Sequence, residues 1–236
     1  AKTADALASH ARGASVVRVT PACAPNCCVV SVINENMPFL FDSVMGEIND
    51  MSHHVRLVVH PILDVSHHGP DFELVDRSAT TPADDGTIRT SVIHVMLEDL
   101  TEEAARQLEK SLVEIIEHVK AAVRDWRGML ERMDTVMAEL QNKVLPVSQS
   151  EVNEALSFLE WLRDDNFTFL GMREYAFVGG IKEGRLERIE TGQGAGLGIL
   201  RAPEVMVLRR GREWVTYTPE LRDFLMQPVP LIVTKA

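Results

Sequence analysis

An α+β fold is predicted for this chain: a ferredoxin-like βαββαβ module, followed by long helices and a smaller strand-rich segment. Three observations predict it. An apolar run at residues 28–33 meets a polar corner, after which Leu40, Val44 and Ile48 recur at helical spacing. Two further apolar runs follow at 55–65 and 88–97, the second alternating and rich in branched residues. Beyond Asp99 the apolar positions return every three or four residues as far as Leu140.

Residues 1–25 are Ala-rich, show no clear period and end in Pro21 and Pro25, so they read as a tail or linker. The α+β module is expected over 26–123. Pro38 suits the first position of its helix, because the missing N–H would be unpaired there in any case. Phe41 and Met45 flank the Leu40, Val44, Ile48 stripe. The polar excursion 66–86 carries Gly69-Pro70, Thr81-Pro82 and Asp84-Asp-Gly86; it reads as a long hairpin connection in which Phe72-Glu-Leu-Val75 extends a strand.

Asp99 and Glu102 form an Asp version of the capping box, and a long helix is expected from there. Its apolar positions are Ala105, Leu108, Leu112, Ile115, Val119, Ala122, Trp126, Met129, Met133, Val136 and Leu140, a strict heptad. Such a seam packs along a second helix, and Leu112, Val119, Trp126 and Met133 are the candidate association face. The other reading is two helices that break near Gly128 and fold back on each other. A helical segment is expected over 124–165, with Ser148-Gln-Ser-Glu151 as a capping box for a further helix. Residues 166–236 change to strand character: 167–178, a Gly179-Gly180 turn, 185–190, 205–209, then Arg210-Gly-Arg212 turning into 213–217.

At 236 residues the chain has room for one large domain or two small ones. Apolar residues make up 45% and charged residues 25%, ordinary soluble usage. The formal charge of −11 argues against a nucleic-acid or anionic-membrane surface. No apolar run is long enough to span a membrane, and no apolar stretch follows Ala1 as a signal peptide requires. Cys23, Cys27 and Cys28 are odd in number and crowded together, which fits a reducing, cytoplasmic setting better than a disulfide framework. The missing initiator Met and the strand-like ending at Ala236 suggest part of a longer protein.

No catalytic, cofactor or metal site is predicted. Gly192-Gln-Gly-Ala-Gly-Leu-Gly198 has Leu197 where a dinucleotide fingerprint needs its third Gly, and Pro203 follows closely, so a flexible loop is the better reading. His53, His54, His60, His67 and His68 lie within sixteen residues and the two doublets flank one strand, but neighbours on a strand point to opposite faces and seldom share an ion. The acidic pairs Asp84-Asp85, Glu102-Glu103 and Asp164-Asp165 sit at turns or helix ends, where capping and solvation explain them. An effector would bind at the polar corner. There the helix N–H groups favour a carboxylate, Asn34 and Asn36 offer amides, and Phe39 with Leu40 offers an apolar wall.

Three motifs carry a family resemblance. They are Asn36-Met-Pro-Phe-Leu-Phe-Asp-Ser-Val44; Phe158-Leu-Glu-Trp-Leu162 with Asp165-Asn-Phe-Thr-Phe-Leu-Gly-Met-Arg-Glu-Tyr175; and Gly196-Leu-Gly-Ile-Leu-Arg201. In their order and spacing the chain resembles the N-terminal region of the large NAD-specific glutamate dehydrogenases, and Pro230-Leu-Ile-Val-Thr-Lys-Ala236 resembles that family's next segment. The resemblance implies ACT-like regulatory modules, homo-oligomeric assembly, a possible amino-acid effector, and a parent enzyme that oxidises L-glutamate with NAD through a distant C-terminal region. It carries no catalytic residue onto this chain. Many amino-acid-binding ACT domains have Asp-x-Pro-Gly-Leu at the corner; this chain has Asn36-Met-Pro-Phe39-Leu40. The alternative is a stand-alone ACT-type sensor. A third reading, a metal-dependent hydrolase, would need zinc on the histidines.

Overall fold

Valine-rich alternation, with a branched side chain on each face of the pleat, builds the first part of the molecule. The computed structural model describes residues 14–21, 26–51, 54–68, 71–75, 87–98, 100–182, 185–191, 196–201, 209–210 and 213–214. Six strands form one antiparallel sheet: β1 (Val16–Pro21), β2 (Cys27–Glu35), β3 (Val55–Val59), β4 (Ile62–His68), β5 (Asp71–Val75) and β6 (Thr87–Glu98). Their order is β1-β2-β6-β4-β5, with β3 also pairing β6. Helix α1 (Leu40–Asp50) follows β2, and α2 (Glu102–Asn142) follows β6. Contacts divide the chain into two units, residues 1–120 and 121–236.

The fold class is α+β, but the strand order differs from the expected βαββαβ module in two ways. The run 55–65 is one strand broken at His60-Pro61. Its halves pair successive stretches of β6, and Pro61 keeps its carbonyl in the ladder by accepting from the Val92 N–H at 3.0 Å. The strand beside β2 comes from the N-terminal segment, where a tail was expected. Val16, Val17 and Val19 carry the branched residues that a strand needs, and β1 pairs with β2 from Val16↔Ile33 to Pro21↔Cys28.

The outer edge of β1 is blunted. The Val19 N–H donates to Glu109 Oε1 at 2.7 Å, so it points away from β2. Alternate residues of an antiparallel pair share that orientation, which puts Val17 and Pro21 on the same edge, and Pro21 has no N–H to offer. A charged side chain and a proline are standard protection for an open edge.

One face of the sheet buries Cys28, Val30, Val32, Ile93, Val95 and Leu97 against Leu40, Val44 and Ile48 of α1 and Leu108, Leu112 and Ile116 of α2. A smaller cluster of Ile33, Val65 and Val92 occupies the opposite face. Pro38 does not open α1; it sits in a turn, and the helix starts at Leu40. The start of α2 is capped by Thr101, whose Oγ1 accepts from the Ala104 N–H at 3.2 Å; Asp99 lies outside the described residues.

Helix α2 is a single helix of 41 residues, so the break near Gly128 does not occur. Its buried positions are Leu108, Leu112, Ile116, Val119, Ala122, Asp125, Met129, Met133 and Met137. These follow the 3.6-residue period of a straight helix, from which a strict heptad drifts by about 20° per repeat. Ile116, Asp125 and Met137 therefore take the inward places that the heptad gave to Ile115, Trp126 and Val136.

In the second unit Met133 and Met137 pack with Val152 and Leu156 of α3 (Gln149–Trp161). The capping box at the start of α3 is present: the Glu151 N–H donates to Ser148 Oγ, and the Ser148 N–H donates to Glu151 Oε2. A wide π turn, Leu162–Asn166, closes α3, with Asn166 Nδ2 donating to the carbonyls of Trp161 and Asp164. Then come β7 (Gly171–Met172), β8 (Tyr175–Lys182), β9 (Arg185–Thr191), β10 (Leu197–Gly198), β11 (Arg209–Arg210) and β12 (Glu213–Trp214). They pair as β7 with β10, β8 with β9, and β11 with β12. Gly179 and Gly180 are not the hairpin turn; they lie inside β8, where the register with β9 shifts. The strand expected at 205–209 falls mostly outside the described residues.

Two helical glycines can be filled. A Cβ on Gly128 would meet only Leu197 Cδ1, at 3.7 Å, and one on Gly46 would meet nothing within 4 Å. Gly128→Ala and Gly46→Ala should each raise the free energy of unfolding by about 0.5–1 kcal/mol in urea titrations. A loss of stability at Gly128 would mean that α2 is not continuous there.

Candidate functional site

The candidate site is the corner where β2 ends and α1 begins. Asn34, one residue from the end of β2, is fully buried on the helix-covered face. Its Oδ1 accepts from Ser15 Oγ at 2.8 Å and its Nδ2 donates to the Glu35 carbonyl at 2.6 Å. Across the ladder it pairs with Ser91, which is also buried. Asn36 turns the chain, its N–H donating to the Arg89 carbonyl at 2.7 Å. The core thus changes from aliphatic to polar at this end of the sheet.

Phe39 stands just before α1 with φ 65° and ψ −6°, in the left-handed region. That conformation costs an L-residue about 1–2 kcal/mol and glycine almost nothing. The structure therefore gives a physical reason for glycine in the related ACT corner. The Phe39 ring does not fill a cavity, for the residue is 50% exposed. Its carbonyl accepts the Ser43 N–H at 2.9 Å, while α1 has no side-chain cap. Asp42 lies in the first turn, and Leu40 is part of the core.

Two residues that the sequence did not assign to the corner, His60 and Ser91, complete it. His60, at the break between β3 and β4, shares a hydrogen bond of 2.6 Å between its Nε2 and Ser91 Oγ. Its ring stacks on Phe41 with centroids 4.7 Å apart and planes 4° from parallel. Burial pushes its pKa down, partly opposed by the charge of Asp42. On the sheet's other face, Ser31 Oγ and His94 Nδ1 are 3.0 Å apart, and burial lowers the His94 pKa as well. The signal available in sequence was Pro61 directly after His60, which breaks the strand and turns that side chain toward the corner.

The corner brings Asn34, Asn36, Phe39 and Leu40 together. The proposed association face is distributed differently. Leu112, Val119 and Met133 are buried within the chain, and only Trp126, 48% exposed, meets solvent. Among the described residues no three His, Cys, Asp or Glu side chains gather to hold a metal. Cys27 and Cys28 are buried, the Cys28 thiol donating to the Glu98 carbonyl at 3.5 Å, and Cys23 and His53 lie outside the described residues. Of the glycine-rich stretch only 196–198 is described; it forms β10, not the start of a helix. No described helix is long and apolar enough to cross a membrane.

An antiparallel sheet layered with two helices, closed by a polar strand-to-helix corner, is the arrangement of an ACT-like α+β domain. Comparison with known families agrees: residues 2–112 match the glutamate dehydrogenase ACT1 domain, and by this match they belong to that domain family. The NAD-specific glutamate dehydrogenase of Halomonas elongata is 31% identical over 175 residues, covering 73% of this chain. That of Pseudomonas aeruginosa is 28% identical over 160 residues, covering 66%. In both cases the match spans 10% of the relative's length.

Two outcomes follow from the geometry. Phe39→Gly should leave stability unchanged or raise it by up to about 1 kcal/mol, because relief of strain is offset by the flexibility glycine adds to the unfolded chain. Phe39→Val should lower it, and equal urea midpoints for the two variants would sink the strain argument. The histidines set a pH dependence. A His whose folded pKa lies below its unfolded 6.5 binds its proton more readily when unfolded. Stability is then complete above about pH 6.5 and falls as the pH drops below it. His60→Gln should flatten part of that slope in urea midpoints taken from about pH 7.5 to 5.5.

Proposed function

We propose that this chain is a regulatory region of an NAD-dependent glutamate dehydrogenase whose catalytic region lies elsewhere in the polypeptide. The observation that supports this reading most directly is the ACT1 match across β1 to the first turns of α2, in a chain whose match spans only 10% of its relatives' length. On this reading the parent enzyme converts L-glutamate to 2-oxoglutarate with NAD in the cytoplasm, and the residues described above sense or transmit. Self-association belongs to the same proposal, with Trp126 as the seam residue still open to solvent.

The effector that suits the corner is an amino acid. The uncapped N–H groups of α1 suit its carboxylate, and Asp42, on the same turn, suits its ammonium group. Isothermal titration with a panel of amino acids should give one saturable ligand, weakened about tenfold or more by Asp42→Asn. In the full-length enzyme the same substitution should alter the response to that ligand while leaving basal glutamate oxidation intact. The chain by itself should reduce no NAD with glutamate; turnover abolished by changing one of its own residues would end the proposal.

A further inference from the structure

We propose that Arg124 and Arg201 form a surface site for a small carboxylate- or phosphate-bearing anion, organised by the buried carboxylate of Asp125. This site lies outside the corner described above and stands independently of the proposed regulatory role. Asp125 points inward from α2, its side chain 6% exposed, and its oxygens are fully engaged. Oδ2 accepts the Gly198 N–H at 2.8 Å and Arg201 Nε at 3.1 Å. Arg201 Nη2 reaches both oxygens at 2.8 Å, and Arg124 Nε reaches Oδ1 at 3.3 Å. Desolvation alone would raise the Asp125 pKa; these donors outweigh it and hold the group ionised.

Two guanidinium groups against one carboxylate leave one unit of positive charge, in a chain that carries −11. Since both bond Asp125 Oδ1, Arg124 Nε and Arg201 Nη2 are within about 6 Å of each other. Their remaining N–H groups, on Arg201 Nη1 and on both terminal nitrogens of Arg124, have no acceptor among the described residues. Both side chains reach solvent, Arg124 63% and Arg201 45% exposed. A planar fork with spare donors is the geometry that carboxylates and phosphates bind.

The site is also rigid where it must be. Gly198 has φ 58°, and a Cβ there would lie 2.1 Å from the Leu170 carbonyl oxygen. The Ile199 N–H bonds that same oxygen at 2.9 Å, and the Arg201 N–H bonds the Gly198 carbonyl at 3.1 Å. Arg201 is therefore delivered by a backbone turn that tolerates little rearrangement, so binding costs little ordering.

The test is isothermal titration of the chain at low salt with inorganic phosphate and, separately, with glutarate. At least one should saturate at about 0.1–10 mM, and the tighter of the two tells phosphate from carboxylate. Arg124→Gln should weaken that binding about tenfold without moving the thermal midpoint, because this side chain supports no packing. Arg127→Gln removes the same charge one turn-face away, where the guanidinium instead lies over the Trp126 ring at 5.4 Å, and should leave affinity unchanged. Saturation by neither anion, or equal affinity in the wild type and Arg124→Gln, overturns the proposal. An equal loss in Arg127→Gln also overturns it, since only general charge would then be at work.

Discussion

Three strands take their hydrogen bonds directly from β6: β2 along one side, and β3 then β4 in succession along the other. The remaining strands, β1 and β5, reach the sheet only through β2 and β4. A strand of 12 residues is long enough to serve two partners end to end, and that length allows the break at His60-Pro61. The same strand changes chemistry along its course. Ile93, Val95 and Leu97 build the aliphatic core, while Thr87, Thr90 and Ser91 are buried polar residues at the other end. His60 draws its partner, Ser91 Oγ, from this end of β6, while Asn34 is satisfied by Ser15 and the Glu35 carbonyl.

Much of this was legible in the sequence. Apolar runs gave β2 and the broken β3–β4 strand, and alternation gave β6. Helical spacing gave α1, a heptad gave the course of α2 though not its inward face, and the Ser148-to-Glu151 spacing gave the start of α3. What escaped had a physical reason in each case. Val16–Pro21 is short and ends in a proline, and its strand character depends on a partner that local pattern cannot display. The left-handed Phe39 is set by the geometry of the corner against the residue's own preference. Asp125 was hidden because the apolar positions of α2 satisfy periods of both 3.5 and 3.6, and only the second turns position 125 inward. A carboxylate is buried only where enough donors converge on it, and those donors lie some seventy residues further along the chain.

The two polar arrangements differ in kind. At the corner, burial favours neutral groups: hydroxyls, an amide and an imidazole whose proton is held less readily than in water. At Asp125, burial is tolerated because the charge is met by a backbone N–H and two guanidinium groups. The first arrangement therefore favours an uncharged imidazole, and the second an ionised carboxylate.

The origin of β1 has a mechanical consequence. In a βαββαβ module the second helix must end soon enough for the chain to turn back and lay down the last strand. Here the place beside β2 is filled before the helix begins, so α2 has no strand to return to that sheet. It runs on for 41 residues, a rod of about 60 Å.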